Sequence, residues 1–372
     1  MPATDPLLEA RRVMQICNAC RYCESFCAVF PAMNRRIAFS DGDLDYLANL
    51  CHGCGACYYA CQYAPPHEFA VHVPSAFSEL RIATYRKYTW PAAFGRAFEH
   101  NGIVVAFATA ISLAAFIIGV FLAHDAAALF AAHESPHAFY AVMPHGAMVW
   151  LFGIAGLYVL TVWIIGFLRF WRDTGEQLRD FAKPDALFSG ARDVFTLRYL
   201  DGGGDGCTYP DERPSFFRRL YHHLTFYGFL LCFAATTAGT IFHYGLGWVA
   251  PYSAFSLPKV LGTVGGMGLL IGPVGLLWLR AKADPQLIAH DKRGLESGLL
   301  TLLLLTSVTG LLLMALRSTP AMGVLLAVHL GTVLALFLVM PYGKFVHGIY
   351  RAAALVRYAL ERKRPNPTPS FE

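Results

Sequence analysis

CNACRYCESFC at residues 17–27 and CHGCGACYYAC at 51–61 place eight cysteines in two identical C-x2-C-x2-C-x3-C runs. Thiols this close along the chain do not pair as ordinary disulfides, so a reducing compartment is expected. A cubane iron–sulfur cluster needs four thiolates converging on one small object. C-x2-C-x2-C wraps three of them around a single cluster, and the cysteine three residues further on points away. In two-cluster ferredoxins that fourth thiol ligates the other cluster. On this rule Cys17, Cys20, Cys23 and Cys61 hold one [4Fe–4S] cluster, and Cys51, Cys54, Cys57 and Cys27 hold the second. The proline that often follows the last cysteine is displaced: Pro31 and Pro65 lie four residues beyond Cys27 and Cys61. Between the runs, SDGDLDYLANLC reads as a capped helix, which favours an α-helical ferredoxin over the small βαβ type. Structural zinc takes C-x2–4-C pairs separated by a longer loop and fits two four-cysteine runs poorly. Cys207 and Cys232 lack such neighbours and read as unligated.

Around these runs the chain reads as membrane protein. Of 372 residues 56% are hydrophobic and 15% charged, against about a quarter charged in soluble domains. Six apolar spans, near 102–123, 145–168, 223–243, 260–279, 297–316 and 321–344, each approach the ~20 residues that a bilayer requires. Lys and Arg set the orientation. Residues 124–143 and 244–257 carry none, and the last connection carries only Arg317, whereas 169–221 carries nine, 280–293 four and the tail from Lys344 six. The N-terminal domain, the long middle loop and the C-terminus are therefore expected on the cytoplasmic side. The opening MPATDPLLEARRVMQ reads as a polar helix rather than a cleavable signal. The net charge of +5 follows from these membrane flanks, and no nucleic-acid partner is expected.

The expected fold is mainly α: an N-terminal α-helical ferredoxin-like domain with two [4Fe–4S] clusters, followed by a six-helix transmembrane bundle. Its expected parts are a cluster domain (1–72), an interfacial linker (73–100), spans one and two (101–168), a cytoplasmic loop (169–221), a haem-binding bundle of spans three to six (222–350) and a basic cytoplasmic tail (351–372). In the loop, YLDGGGDGCTYPDERP at 199–214 reads as a flexible turn and matches no phosphate-binding motif.

Ionisable groups in a bilayer default to a functional reading. His329 and His347 are 18 residues apart, five whole helical turns, and so share a face ~27 Å apart along the axis. The third span carries His222 and His223 at its cytoplasmic start and His243 at its outer end. Because the third and sixth spans run antiparallel, His347 shares a depth with His222 and His223, and His329 with His243. Imidazoles from facing helices suit the axial positions of haem b, so one or two haems are expected. His145 is a further candidate for the outer haem, while His124, His133, His137 and His290 read as surface residues.

The double cysteine run, LRYLDGGGDGCTYPDERPSFFRRLYHHLTFYG at 197–228 and the six-span tail resemble the TcuB/CitB family of tricarballylate-utilisation electron-transfer proteins. The last five spans also resemble the haem-b-binding γ subunit of respiratory nitrate reductases, where an 18-residue histidine spacing on the last helix serves two haems. Here His329 and His347 match it, whereas position 233, ten residues after His223, is Phe. The resemblance implies an oxidoreductase of the bacterial inner membrane. It would reoxidise the FAD of a soluble tricarballylate dehydrogenase and pass electrons through the clusters and haem b to membrane quinone. The same wire serving a thiol/disulfide or other organic-acid dehydrogenase is the alternative. No flavin or nicotinamide motif and no Ser/His/Asp pattern occurs, so quinone is the only organic substrate expected of this chain.

Overall fold

The computed structural model describes residues 5–125, 129–132, 138–287 and 293–366. His133, His137 and His290 therefore lie outside the described residues. Five helices build the N-terminal unit: α1 (Pro6–Cys20), α2 (Val29–Met33), α3 (Asp41–Leu50), α4 (Ala56–Tyr59) and α5 (Val73–Tyr88). Asp5 caps α1 by accepting from the Leu7 amide, and Arg21 in the left-handed conformation ends it just past Cys20. Ser40 and Asp43 close a reciprocal capping box on α3, the helix expected from SDGDLDYLANLC.

The 73–100 segment is more than an interfacial connection. Phe77, Leu80, Tyr85 and Tyr88 of α5 are fully buried against α1 and α3, so the N-terminal core extends to Tyr88.

Among the described residues nine α-helices follow: α6 (Asn101–Ala123), α7 (Ala138–Val142), α8 (His145–Asp173), α9 (Pro184–Phe195), α10 (Phe217–Leu246), α11 (Leu257–Ala281), α12 (Arg293–Ala315), α13 (Met322–Val339) and α14 (His347–Glu361). α6, α8 and α10 to α13 supply six stretches long and apolar enough to cross a membrane, as the sequence indicates. Ile103, Phe107 and Ile111 form an exposed i, i+4 stripe on α6, a face that only lipid covers favourably. α10 and α11 meet backbone to backbone. A Cβ on Gly228 would sit 2.9 Å from the Gly265 carbonyl oxygen, and one on Gly272 would sit 2.6 Å from the Thr225 nitrogen.

The cytoplasmic-type ends gather at the N-terminal unit. Tyr88 donates to Asp173 of α8 (2.9 Å), Tyr59 donates to Asp284 just beyond α11 (2.9 Å), and Arg351 of α14 donates to the Asn49 carbonyl (3.3 Å). The tail, read as basic and solvated, is an ordered helix to Glu361. Ala353, Ala354, Leu355, Ala359 and Leu360 of α14 pack into the N-terminal core, with Met14, Leu44 and Tyr46 in the same cluster. Arg357 and Glu361 on it are paired rather than solvated. Arg36 pairs with Glu361 and Asp43, Arg357 pairs with Asp43 (3.2 Å) and Glu361 (3.3 Å), and Tyr46 donates to Glu361 (3.0 Å). Glu361→Ala takes one carboxylate from two buried guanidiniums that keep Asp43, and is expected to cost about 1–3 kcal/mol. A lowered unfolding transition and faster proteolysis of α14 would show it; an unchanged transition would remove this network from the fold's stability.

Candidate metal centres

The eight cysteines line two adjoining hollows. The first, about 230 Å³, is bordered by Cys17, Cys20, Cys23 and Cys61 with Phe30, Tyr63 and Val73. The second, much tighter at about 10 Å³, is bordered by Cys27, Cys51, Cys54 and Cys57. Cys57 touches both. The first hollow thus carries Cys57 and Cys61 of the second run beside three thiols of the first, and the second hollow carries Cys27 beside three thiols of the second. Burial, then Cys61, Cys23 and Cys20, push the Cys17 thiol up to about 12. Cys23 rises to about 12 through burial and the neighbouring Cys61 and Cys20. Burial and the neighbouring Cys54 and Cys51 raise Cys27 and Cys57 as well. Thiolates converging this way repel one another, and cations at their centre remove the repulsion. A tetrahedral zinc with ~2.3 Å bonds would draw four sulfurs to one point. Among the described residues no three His, Cys, Asp or Glu side chains close on a single ion that way. Four cysteines with no histidine or carboxylate among them are the donor set of an iron–sulfur cluster.

Two local features shape the second hollow. Gly55, at φ +85°, lies where a Cβ would come within 2.5 Å of the Thr208 carbonyl oxygen, so CHGCGAC needs glycine there for the loop above to approach. That loop is the glycine-rich 199–214 segment, closed by a two-residue ribbon, Cys207–Thr208 against Pro214–Ser215. It covers the second cysteine set: Thr208 donates to the Cys54 carbonyl (3.3 Å), and Gly203 abuts Phe26. Cys207 is fully buried, and hydrogen bonding with it brings the Cys54 thiol down to about 7. Sequence spacing gave no sign of this neighbour, 153 positions away from Cys54 along the chain. The run of glycines before Cys207 was the one available hint.

The histidines divide. His222 of α10 and His347 of α14 face each other with ring centres 6.2 Å apart and planes at 76°. Two imidazoles on one iron, with roughly 2 Å bonds and ~1.1 Å from nitrogen to ring centre, would have centres about 6 Å apart. His347 Nδ1 is hydrogen-bonded to the Lys344 carbonyl, the contact that orients an axial imidazole and leaves Nε2 for a metal. His222 Nδ1 is buried without a partner. These residues fit haem b. His223 turns instead toward Tyr227, 5.7 Å between ring centres. His243 stacks on His145 at 4.1 Å, beside Tyr140 and Tyr244. His329 hydrogen-bonds Thr309 of α12 (3.1 Å) and lies against Gly310. The structure therefore brings His222 to His347 and His243 to His145, and places His329 on neither pair. His124 at the outer end of α6 bonds the Val142 carbonyl (3.0 Å).

Paired thiol hollows joined to a six-span helical bundle define an iron–sulfur electron-transfer protein of the membrane. The model of "Citrate utilization protein B" matches residues 96–368, and that of its "Fer4-like domain" matches residues 10–87. Citrate utilization protein B of Escherichia coli is 48% identical over 362 residues, 97% of this chain and 94% of that protein. The chain belongs to the citrate utilization protein B family. No solved structure matches it.

Proposed function

We propose that this chain carries electrons from a soluble FAD-dependent dehydrogenase on the cytoplasmic face of a bacterial inner membrane to quinone in the bilayer. One observation supports the reading: the helices that carry His222 and His347 also hold the backbone of the second cysteine run. Arg351, which donates to the Cys51 carbonyl (2.9 Å), and Arg218, which donates to the Gly53 carbonyl, come from the same two helices as those histidines. Cys17, Cys20 and Cys23 border the larger hollow together with the exposed Tyr22, an aromatic contact suited to a docking flavoprotein. Two [4Fe–4S] clusters and haem b would divide two-electron flavin chemistry into single-electron steps. The chain's own part is to fix the thiol positions, hold the axial imidazoles in one tautomer and exclude water with the 199–214 loop. The donor's organic acid, tricarballylate on the family resemblance, would be bound by the partner.

Anaerobically purified protein is expected to contain about eight non-haem irons per chain and to bleach when reduced dehydrogenase is added, recovering with quinone. Four or fewer irons, or no response to the flavoprotein, would defeat this reading.

A further inference from the structure

Three arginines meet around residues 48–53. Arg81 Nη1 donates to the carbonyls of Ala48 (3.2 Å) and Cys51 (2.8 Å). Arg351 donates from Nε to Asn49 (3.3 Å) and from Nη2 to Cys51 (2.9 Å), and Arg218 donates to Gly53. The Nη2 atoms of Arg81 and Arg218 lie 3.7 and 4.0 Å from the point a Gly53 Cβ would occupy, so two guanidiniums converge over one residue. Arg81 is 7% exposed, and Arg218 and Arg351 are partly buried.

What sets them apart is the absence of acid. The buried Arg36 and Arg357 each meet carboxylates. Lys344 pairs with Glu296 (2.9 Å). Among the described residues, Arg81, Arg218 and Arg351 form no ion pair; their N–H groups meet backbone carbonyls, and Arg218 also lies over the Tyr209 ring (4.6 Å). Carbonyls satisfy N–H groups but leave the charge uncompensated, a state that is costly in a low-dielectric setting. Two further donors point the same way. The hydroxyl of Tyr85, fully buried, has no hydrogen-bond partner, and neither has His222 Nδ1. The missing component is an anion with several acceptor oxygens, placed between the Cys51–Gly53 backbone and the His222–His347 pair. Planar guanidinium forks select carboxylates bidentately.

We propose that Arg81, Arg218 and Arg351, with the Tyr85 hydroxyl, form a carboxylate clamp for the propionates of a haem held by His222 and His347. This rests on the inner-haem reading above. The clamp ties the porphyrin's acidic edge to the segment carrying Cys51 and Cys54, so the same groups retain the haem and set its separation from the second cysteine set. It also supplies positive charge that favours the reduced haem.

The test uses full-length protein produced without haem and titrated with haem or with haem dimethyl ester, whose propionates are capped. The unaltered chain is expected to bind free-acid haem at least about tenfold more tightly than the diester. In Arg218→Gln and Arg351→Gln the preference should collapse and the haem midpoint potential should fall, with cluster iron unchanged. Equal binding of the two porphyrins by the unaltered chain would overturn the clamp while leaving the haem in place, and requires no variant to fold. A shift confined to the second cluster's potential would likewise overturn it, assigning the arginines to that cluster alone. No uptake of either porphyrin would sink the inner haem together with the clamp.

Discussion

Cys27→Ala is expected to remove half of the non-haem iron, about four of eight atoms, and to leave the cluster at Cys17, Cys20 and Cys23 intact. The result is diagnostic because Cys27 belongs by sequence to the first run and by position to the second hollow. Were each run to serve its own cluster, the same substitution would strip the first one. Electron delivery to quinone should fall to background in the variant, while the remaining cluster still accepts electrons from dithionite. The matching experiment, Cys61→Ala, should invert the pattern. Iron determination with low-temperature electron paramagnetic resonance separates the outcomes, and loss of the first cluster's signal on removing Cys27 would refute the exchange of ligands.

The second large effect falls on His347. Its alanine variant removes one side of the facing pair and is expected to abolish the haem absorption band with most quinone reduction, leaving cluster iron unchanged. His347 heads α14, where alanine is a good helix former, so the fold should survive. His243→Ala, which disturbs only the stack with His145, should retain the band. An unaltered reduced-minus-oxidised spectrum in the His347 variant would take that residue out of the site.

The two cysteine groupings were legible because their logic is local: three thiols within seven residues end up beside one hollow. The spans were legible because lipid imposes length and polarity on each segment separately. The facing of His222 and His347 was approachable through depth and helical phase, but phase did not reveal that His329 turns to Thr309 on the adjacent helix. Contacts between distant segments left no pattern to read. Cys207 reaches Cys54 only after the glycine loop folds back. The arginine group draws one member each from α5, α10 and α14, none of which announces the others. The small-residue seam of α10 and α11 was visible as glycines, yet only the packing shows which helix they face.

Where α14 docks also fixes an order of events. Synthesis delivers the thiol-bearing unit first, yet Leu355 and Leu360, wedged beside Met14 and Tyr46, leave the ribosome about 300 residues later. At roughly 5–20 residues per second, that interval is on the order of fifteen seconds to a minute. The hydrophobic interior of the cysteine-bearing unit is therefore completed only after the last apolar span has been synthesised.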